Sequence, residues 1–251
     1  MKWTALCDII QLPIFLGGIF MVFGGFQKLT LLDYPGKVAC TLFTKGCNFY
    51  CPFCHNALLV DMDRNEQSFS EEEVLSYLKK RQGILEGVCI TGGEPLIHSS
   101  LKDFIKEVKA LGYSIKLDTN GSFPEKLAEL VEEGLIDYVA MDIKNSFEKY
   151  ALTSGCEKLS LDDIEKSIDF LMGGSIDYEF RTTVASELHT PQDIEKIALR
   201  IKGAKKYFLQ NFVDSGHIIG ENLHPVDEKT LVKMEESAKK SVENAVIRGK
   251  I

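Results

Sequence analysis

The sequence is short of several things, and each shortage closes off a class of function. Basic residues do not dominate: 29 Lys and Arg stand against 37 Asp and Glu, a formal net charge of −8. That balance argues against broad, non-specific binding to nucleic acid, so no nucleic-acid partner is expected. No tract is biased enough to demand disorder, and no segment repeats. The seven cysteines are an odd number, and only three of them cluster. A secreted disulfide framework would not gather three thiols and scatter the rest, so the chain is expected in a reducing cytoplasm. Cys40 and Cys89 lie within apolar runs and read as small buried hydrophobes, while Cys156 falls in a polar loop.

A clean membrane-spanning run is missing as well. The apolar stretch from Ile9 to Phe23 is interrupted by Gln11, Pro13 and the Gly17-Gly18 pair, and no small-residue cleavage site follows it. Neither a membrane span nor a signal peptide is expected. Translation starting at Met21 is the plainer account, and it predicts that residues 1–20 pack poorly and can be deleted. Residues 1–22 are therefore read as an N-terminal extension and residues 23–251 as one domain.

From Lys37 onward, short β-branched or apolar runs alternate with helical, charge-flanked segments, the pattern of βαβ units around a parallel sheet. The runs are Val38–Thr44, Gly87–Thr91, Ser114–Thr119, Tyr138–Ile143, Tyr178–Val184 and Tyr207–Phe212. Helices are expected at Ser70–Arg81, Leu101–Leu111, Pro124–Glu133, Leu161–Met172 and Pro191–Lys202. Ser70 with Glu73, Ser160 with the acidic pair behind it, and Thr190 before Pro191 mark helix starts. The last segment, Val226 to Ile247, carries Leu231, Met234, Ala238, Val242 and Ala245 at helical spacing and reads as one helix over the barrel. The fold class expected is α/β, a partial (β/α)6 TIM-type barrel with a C-terminal helix.

In such folds chemistry gathers at the C-terminal ends of strands, and here polar motifs end four successive runs. Cys47, Cys51 and Cys54, spaced C-x3-C-x2-C, follow the first. Three thiolates can hold three irons of a cubane cluster and leave one open, whereas a structural zinc site wants four ligands. No second ligand pair is visible, and His55, directly after Cys54, is poorly placed for the same metal. A plain electron carrier would need neither a barrel nor an open iron.

Thr91-Gly92-Gly93-Glu94-Pro95 follows the second run, with glycines that permit close approach of backbone to a ligand; taken alone it is also an ordinary βα turn. Asp118 and Thr119 end the third run, Asp142 and Lys144 the fourth, and Arg181 lies inside the fifth, where an inward arginine needs an anionic partner. A structural ion pair at the rim would explain the same residues. Phe53, between two cysteines, is placed to stack on a purine or simply to pack. His98, His189, His217 and His224 have no companion that suggests catalysis.

Taken together, C-x3-C-x2-C, Gly-Gly-Glu-Pro and the βα rhythm resemble the radical S-adenosylmethionine (radical SAM) superfamily. Gly24-Gly25-Phe26-Gln27-Lys28, Leu32-Asp33-Tyr34-Pro35-Gly36, Cys54-His55-Asn56 and Asp118-Thr119-Asn120-Gly121 are similar to glycyl-radical activating enzymes within it, over about residues 23–212. The resemblance implies one [4Fe–4S] cluster on Cys47, Cys51 and Cys54, with S-adenosylmethionine on the open iron. It implies Gly92, Gly93 and Glu94 at the methionyl ammonium, with Asp118, Asp142 and Lys144 around the methionyl and ribose parts. Asp142 and Lys144 fall in its catalytic group. Thr119, with Asp118 and Asp142, offers ligands for a monovalent cation, and Phe53, Arg181 and Gln210 carry over as further cofactor-binding positions. Gln210 stands where a related activator has a histidine. The partners implied are a glycyl-radical enzyme, anaerobic ribonucleotide reductase first, and a one-electron donor such as flavodoxin or ferredoxin. The alternatives are an activase of another glycyl-radical enzyme, of the pyruvate formate-lyase type, and a radical enzyme acting on a small molecule such as a deazapurine precursor.

Overall fold

The computed structural model describes residues 21–62, 68–214 and 216–249. Its strands are β1 (Val22–Thr30), β2 (Ala39–Thr44), β3 (Phe69–Ser70), β4 (Gly87–Gly92), β5 (Ser114–Thr119), β6 (Tyr138–Asp142), β7 (Asp177–Val184), β8 (Tyr207–Asn211) and β9 (Ala245–Arg248). They form one sheet in the order β3-β1-β2-β4-β5-β6-β7-β8-β9. From β2 to β9 every neighbouring pair is parallel, while β1 runs antiparallel to β2 and β3. The sheet keeps two edges, so the barrel is partial and does not close.

The helices are α1 (Ala57–Val60), α2 (Glu71–Arg81), α3 (Leu101–Ala110), α4 (Pro124–Glu132), α5 (Tyr150–Ser154), α6 (Leu161–Gly173), α7 (Pro191–Arg200) and α8 (Glu228–Lys239). Their starts follow local chemistry. Ser70 and Glu73 close a reciprocal capping box on α2, Thr190 and Asp193 do the same on α7, and Ser160 accepts from Asp163 N–H on α6. Each cap stabilises its helix by about 1 kcal/mol.

The main core lies between the sheet and its helices: Val88, Ile90, Ile115, Leu117, Val139, Met141 and Phe180 are buried there against Phe104, Ile105, Leu127, Ile164 and Ile194. Alternation then sends Thr41, Cys89, Lys116, Asp118, Asp142 and Arg181 to the opposite, concave face, where all of them line one cavity. A closed barrel packs its interior with branched apolar residues. Here that interior is polar.

Two segments depart from the sequence reading. The stretch Val226–Ile247 is not one helix: α8 ends at Lys239 and Ala245–Arg248 forms β9, parallel to β8. Val242 and Ala245 mimic helical spacing, but the chain turns between them, and so short a stretch cannot separate a period of 3.6 from one of 2. The strand β1 was hidden for another reason. Its pairing with β2 shifts register between Phe23 and Gly25 and again between Gln27 and Thr30, so its sequence does not alternate. Met21 and Phe23 are nonetheless buried, and Met21 N–H donates to Glu71 at 2.9 Å. The expectation for residues 1–20 lies outside the described residues.

Candidate active site

The cysteine loop leaves β2 and is fixed from several sides. Gly46 and Cys47 N–H donate to the carbonyls of Leu59 and Val60 at 2.6 and 3.1 Å, Tyr50 N–H to Ser154 at 2.8 Å, and Gly220 N–H to Pro52 at 2.8 Å. Cys51 is buried, and Cys47 and Cys54 are half-buried. All three face one cavity of about 460 Å³. Among the described residues no three His, Cys, Asp or Glu side chains are grouped to hold a single metal ion. The three thiols line one shared cavity.

Burial pushes the Cys51 thiol up to about 12 and raises Cys47 and Cys54 as well, with the Lys144 charge pulling Cys51 back. A metal or cluster that binds here must displace protons. The donor set fits one: three soft sulfurs, a roomy wall and an adjacent cation.

The glycines of the next loop are demanded by packing. A Cβ on Gly93 would lie 1.8 Å from the Gly46 carbonyl oxygen, and one on Gly92, at φ +110°, 2.4 Å from Thr44 N. The two strand ends are thereby pressed together, with Gly93 N–H donating to Thr44 at 2.9 Å and Glu94 N–H to Gly46 at 2.8 Å. Asn56, just past the cysteines, donates to the Gly92 carbonyl at 3.1 Å. Gly92 and Gly93 reach the cavity wall.

Glu94 stands behind that wall. Its carboxylate accepts from Leu96 N–H at 3.0 Å, Thr119 Oγ1–H at 2.9 Å and Asn120 N–H at 2.7 Å, bracing the loop after β4 against the end of β5. Burial lifts its pKa to about 7 despite those donors. The Thr119 hydroxyl also accepts from Gly121 N–H at 3.1 Å.

Asp118, Asp142, Lys144 and Arg181 converge, as their strand ends foretold. Arg181 donates through Nε to Asp142 at 2.8 Å and through Nη1 to Asp118 at 2.9 Å, and Lys144 Nζ reaches Asp142 at 3.1 Å. Against the opposing effect of burial, Arg181 and Lys116 hold the Asp118 carboxyl, and Arg181 and Lys144 the Asp142 carboxyl, below the usual carboxylate range, and the Asp142 carboxylate holds the Lys144 ammonium well above its ordinary value. Phe53 and Gln210 also line the cavity, Gln210 as the register partner of Arg248.

Sequence reasoning missed two participants. Lys116 is buried, forms an ion pair with Asp118 and lies 3.7 Å from the Cys89 sulfur, so Cys89 is a buried residue on the cavity wall. The signal was a lysine two residues before Asp118 in an apolar run, hence on the same strand face. His189 is the other. It is buried, its Nδ1 accepts from Ala185 N–H at 3.2 Å, its Nε2 lies 2.8 Å from the Lys144 carbonyl oxygen, and its ring sits 6.1 Å from Phe53. That pattern calls for a neutral ring with the proton on Nε2, donating to Lys144.

The family model described as the Radical SAM superfamily matches residues 41–198. The chain belongs to the radical SAM superfamily. Membership implies a [4Fe–4S] cluster and S-adenosylmethionine, the groups for which the thiol set and cavity are fitted. A Methanocaldococcus jannaschii protein provisionally named a glycyl-radical enzyme activating enzyme is 34% identical over 233 residues, 89% of this chain and 94% of that protein. The GTP 3′,8-cyclase of Helicobacter pylori is 35% identical, over 50% of this chain and 41% of its own length. Among solved structures, a domain of pyruvate-formate lyase-activating enzyme from Bacteroides vulgatus superposes with a TM-score of 0.53 at 17% identity, covering 65% of this chain and 99% of that one, a likeness of fold. Among the described residues, no helix is long and apolar enough to cross a membrane.

Proposed function

We propose that this radical SAM protein is an activase that generates a glycyl radical on a partner enzyme. The observation that carries the reading is the match along almost the whole length of a relative named for that activity. The cyclase similarity spans half of each chain or less, as sharing only the cofactor-binding part would give. A cluster held by Cys47, Cys51 and Cys54 would supply one-electron reduction of S-adenosylmethionine, with methionine as the leaving group. The chain's own residues bind, orient and shield.

In this reading Cys47, Cys51 and Cys54 hold the one cluster, and Gly92 and Gly93 bring backbone to the methionyl end with Glu94 behind them. Asp118, Asp142, Lys144 and Arg181 form a prearranged charge array around the sugar and amino-acid portions, needing little reorganisation when the cofactor enters. Phe53 and Gln210 complete the wall, and Asp118, Thr119 and Asp142 are the group offered to a monovalent cation. The cavity continues downward past Thr41, Cys89 and Lys116 to Asp33, whose carboxylate accepts from Thr41 Oγ1–H at 2.5 Å. This polar shaft suits the main chain of an inserted glycine loop, whose amides need donors and acceptors.

The partner proposed is anaerobic ribonucleotide reductase, with flavodoxin or ferredoxin as electron donor in a reducing cytoplasm. Reduced protein, S-adenosylmethionine and the reductase are expected to give a glycyl-radical doublet by electron paramagnetic resonance. 5′-Deoxyadenosine without that doublet on any glycyl-radical enzyme would defeat the activase reading and leave small-molecule chemistry.

A further inference from the structure

Asn48 lies between Cys47 and Phe49, both of which line the cavity, and Phe49 N–H donates to the Cys47 sulfur at 3.4 Å. The Asn48 side chain is taken up by the turn after β5. Asn120 Nδ2 donates to Asn48 Oδ1 at 2.8 Å, Asn48 Nδ2 donates to Ser122 Oγ at 2.8 Å, and Ser122 Oγ–H donates to Asn120 Oδ1 at 2.6 Å. The three side chains close a ring in which each donates to the next. Ser122 N–H donates to the same Asn120 oxygen at 3.0 Å and fixes the sense of the ring, because turning either amide over would set donor against donor.

The turn itself is held from its other side. Glu94 accepts from Thr119 and from Asn120 N–H, and Ser167 Oγ–H donates to the Gly121 carbonyl at 2.7 Å. Thr119 and Asn120 line the cavity, whereas Asn48 and Ser122, among the described residues, stand outside its lining. The cysteine loop's main-chain bonds run elsewhere, to α1, to α5 and to Gly220. β2 and β5 are separated in the sheet by β4, so the ring ties together two strand ends that do not pair. Hydrogen bonds aligned head to tail polarise one another, and breaking one loosens the rest.

We infer that Asn48 is a positioning residue: through the ring with Asn120 and Ser122 it locks the first cysteine to the turn that carries Asp118 and Thr119, so that the two walls meet S-adenosylmethionine already in register. Preorganisation of this kind lowers the cost of binding. The inference rests on placing the cluster on Cys47 and S-adenosylmethionine against the turn after β5, not on the activase reading.

The test is calorimetric titration of the reconstituted full chain with S-adenosylmethionine, after iron and sulfide have been quantified, together with the change that the cofactor makes in the electron paramagnetic resonance signal of the reduced cluster. Asn48→Ala and Ser122→Ala, neither of which removes a thiol or a cavity-lining side chain, are expected to load the cluster and to bind S-adenosylmethionine about tenfold more weakly, as loss of a hydrogen bond that aligns the site would give. Ser122→Thr, which keeps the hydroxyl, should bind as wild type does. Because a ring is opened only once, the double variant is expected to be about as weak as either single one. Wild-type affinity and an unchanged spectral response in the loaded variants would overturn the inference, as would losses that multiply in the double variant. Failure of both single variants to load would show a ring that serves folding alone, and would overturn it too. A Cys47→Ser chain that keeps its cluster would instead defeat the reading of the site on which the inference stands. No readout depends on a glycyl radical being formed, so failure of the activase reading leaves the result standing.

Discussion

Asp142 and Arg181 are register partners on adjacent parallel strands, and Arg181 Nε donates to the Asp142 carboxylate at 2.8 Å. The same guanidinium donates to Asp118 at 2.9 Å, so one planar, permanently charged group fixes the ends of β5 and β6 relative to each other. Lysine at this position would reach one carboxylate well and the other poorly.

Replacing that guanidinium exposes its role. Arg181→Met leaves two mostly buried carboxylates short of their shared cation, and the expected loss is about 3–5 kcal/mol at neutral pH by urea unfolding. The pH dependence has a definite sign. Asp118 and Asp142 are held below their ordinary values, so the native state binds fewer protons than the unfolded chain, and this stabilisation is lost as pH falls below about 4. The gap between wild type and Arg181→Met should therefore narrow in acid. A gap that stays constant would show that the ion pairs are not its source.

Gly93→Ala tests whether the loop glycines serve packing. The added methyl meets the Gly46 carbonyl oxygen at 1.8 Å before any relaxation, so β2 and β4 must part at their C-terminal ends. A loss of about 1–3 kcal/mol in thermal or urea unfolding is expected, together with weaker S-adenosylmethionine binding by calorimetry. Wild-type stability would mean that the loop yields without cost.

His189→Gln addresses a buried imidazole. Burial holds the pKa of His189 below its ordinary value, so the stability it contributes is present above about pH 6.5 and is lost as pH drops below that toward the folded value. His55 and His98 are shifted the same way, which makes the difference between wild type and variant the useful quantity. The variant should be less stable at neutral pH and lose less stability on acidification. Parallel pH profiles would count against it.

A chain beginning at Met21 is expected to fold and load its cluster. Met21 and Phe23 are buried, the Phe23 ring packs tilted against Phe104 with centroids 5.0 Å apart, and the Met21 nitrogen already donates to Glu71. Removing residues 1–20 would turn that donor into an ammonium beside the same carboxylate. Insoluble product, or a melting temperature lowered by several degrees, would show that the preceding residues are needed.

Much of the architecture was legible because its signals are local. The six parallel runs, the capped helices and the spacing of Cys47, Cys51 and Cys54 each depend on neighbours a few residues apart. The convergence of Asp118, Asp142 and Arg181 was anticipated in outline, since strand ends of one parallel sheet share a rim. β1 and β9 were missed because a register shift or a short turn erased their periodicity.

The sequence by itself determined the fold class, the thiol triplet and the family, since backbone periodicity and ligand spacing are written along the chain. Only the tertiary structure decided which groups face one another: Glu94 bracing β5 from behind the wall, Lys116 beneath Asp118, and His189 on the Lys144 carbonyl. Such pairings join residues distant along the chain. Their energies come from burial and hydrogen-bond geometry, which exist only once the sheet has curved and its concave face has formed.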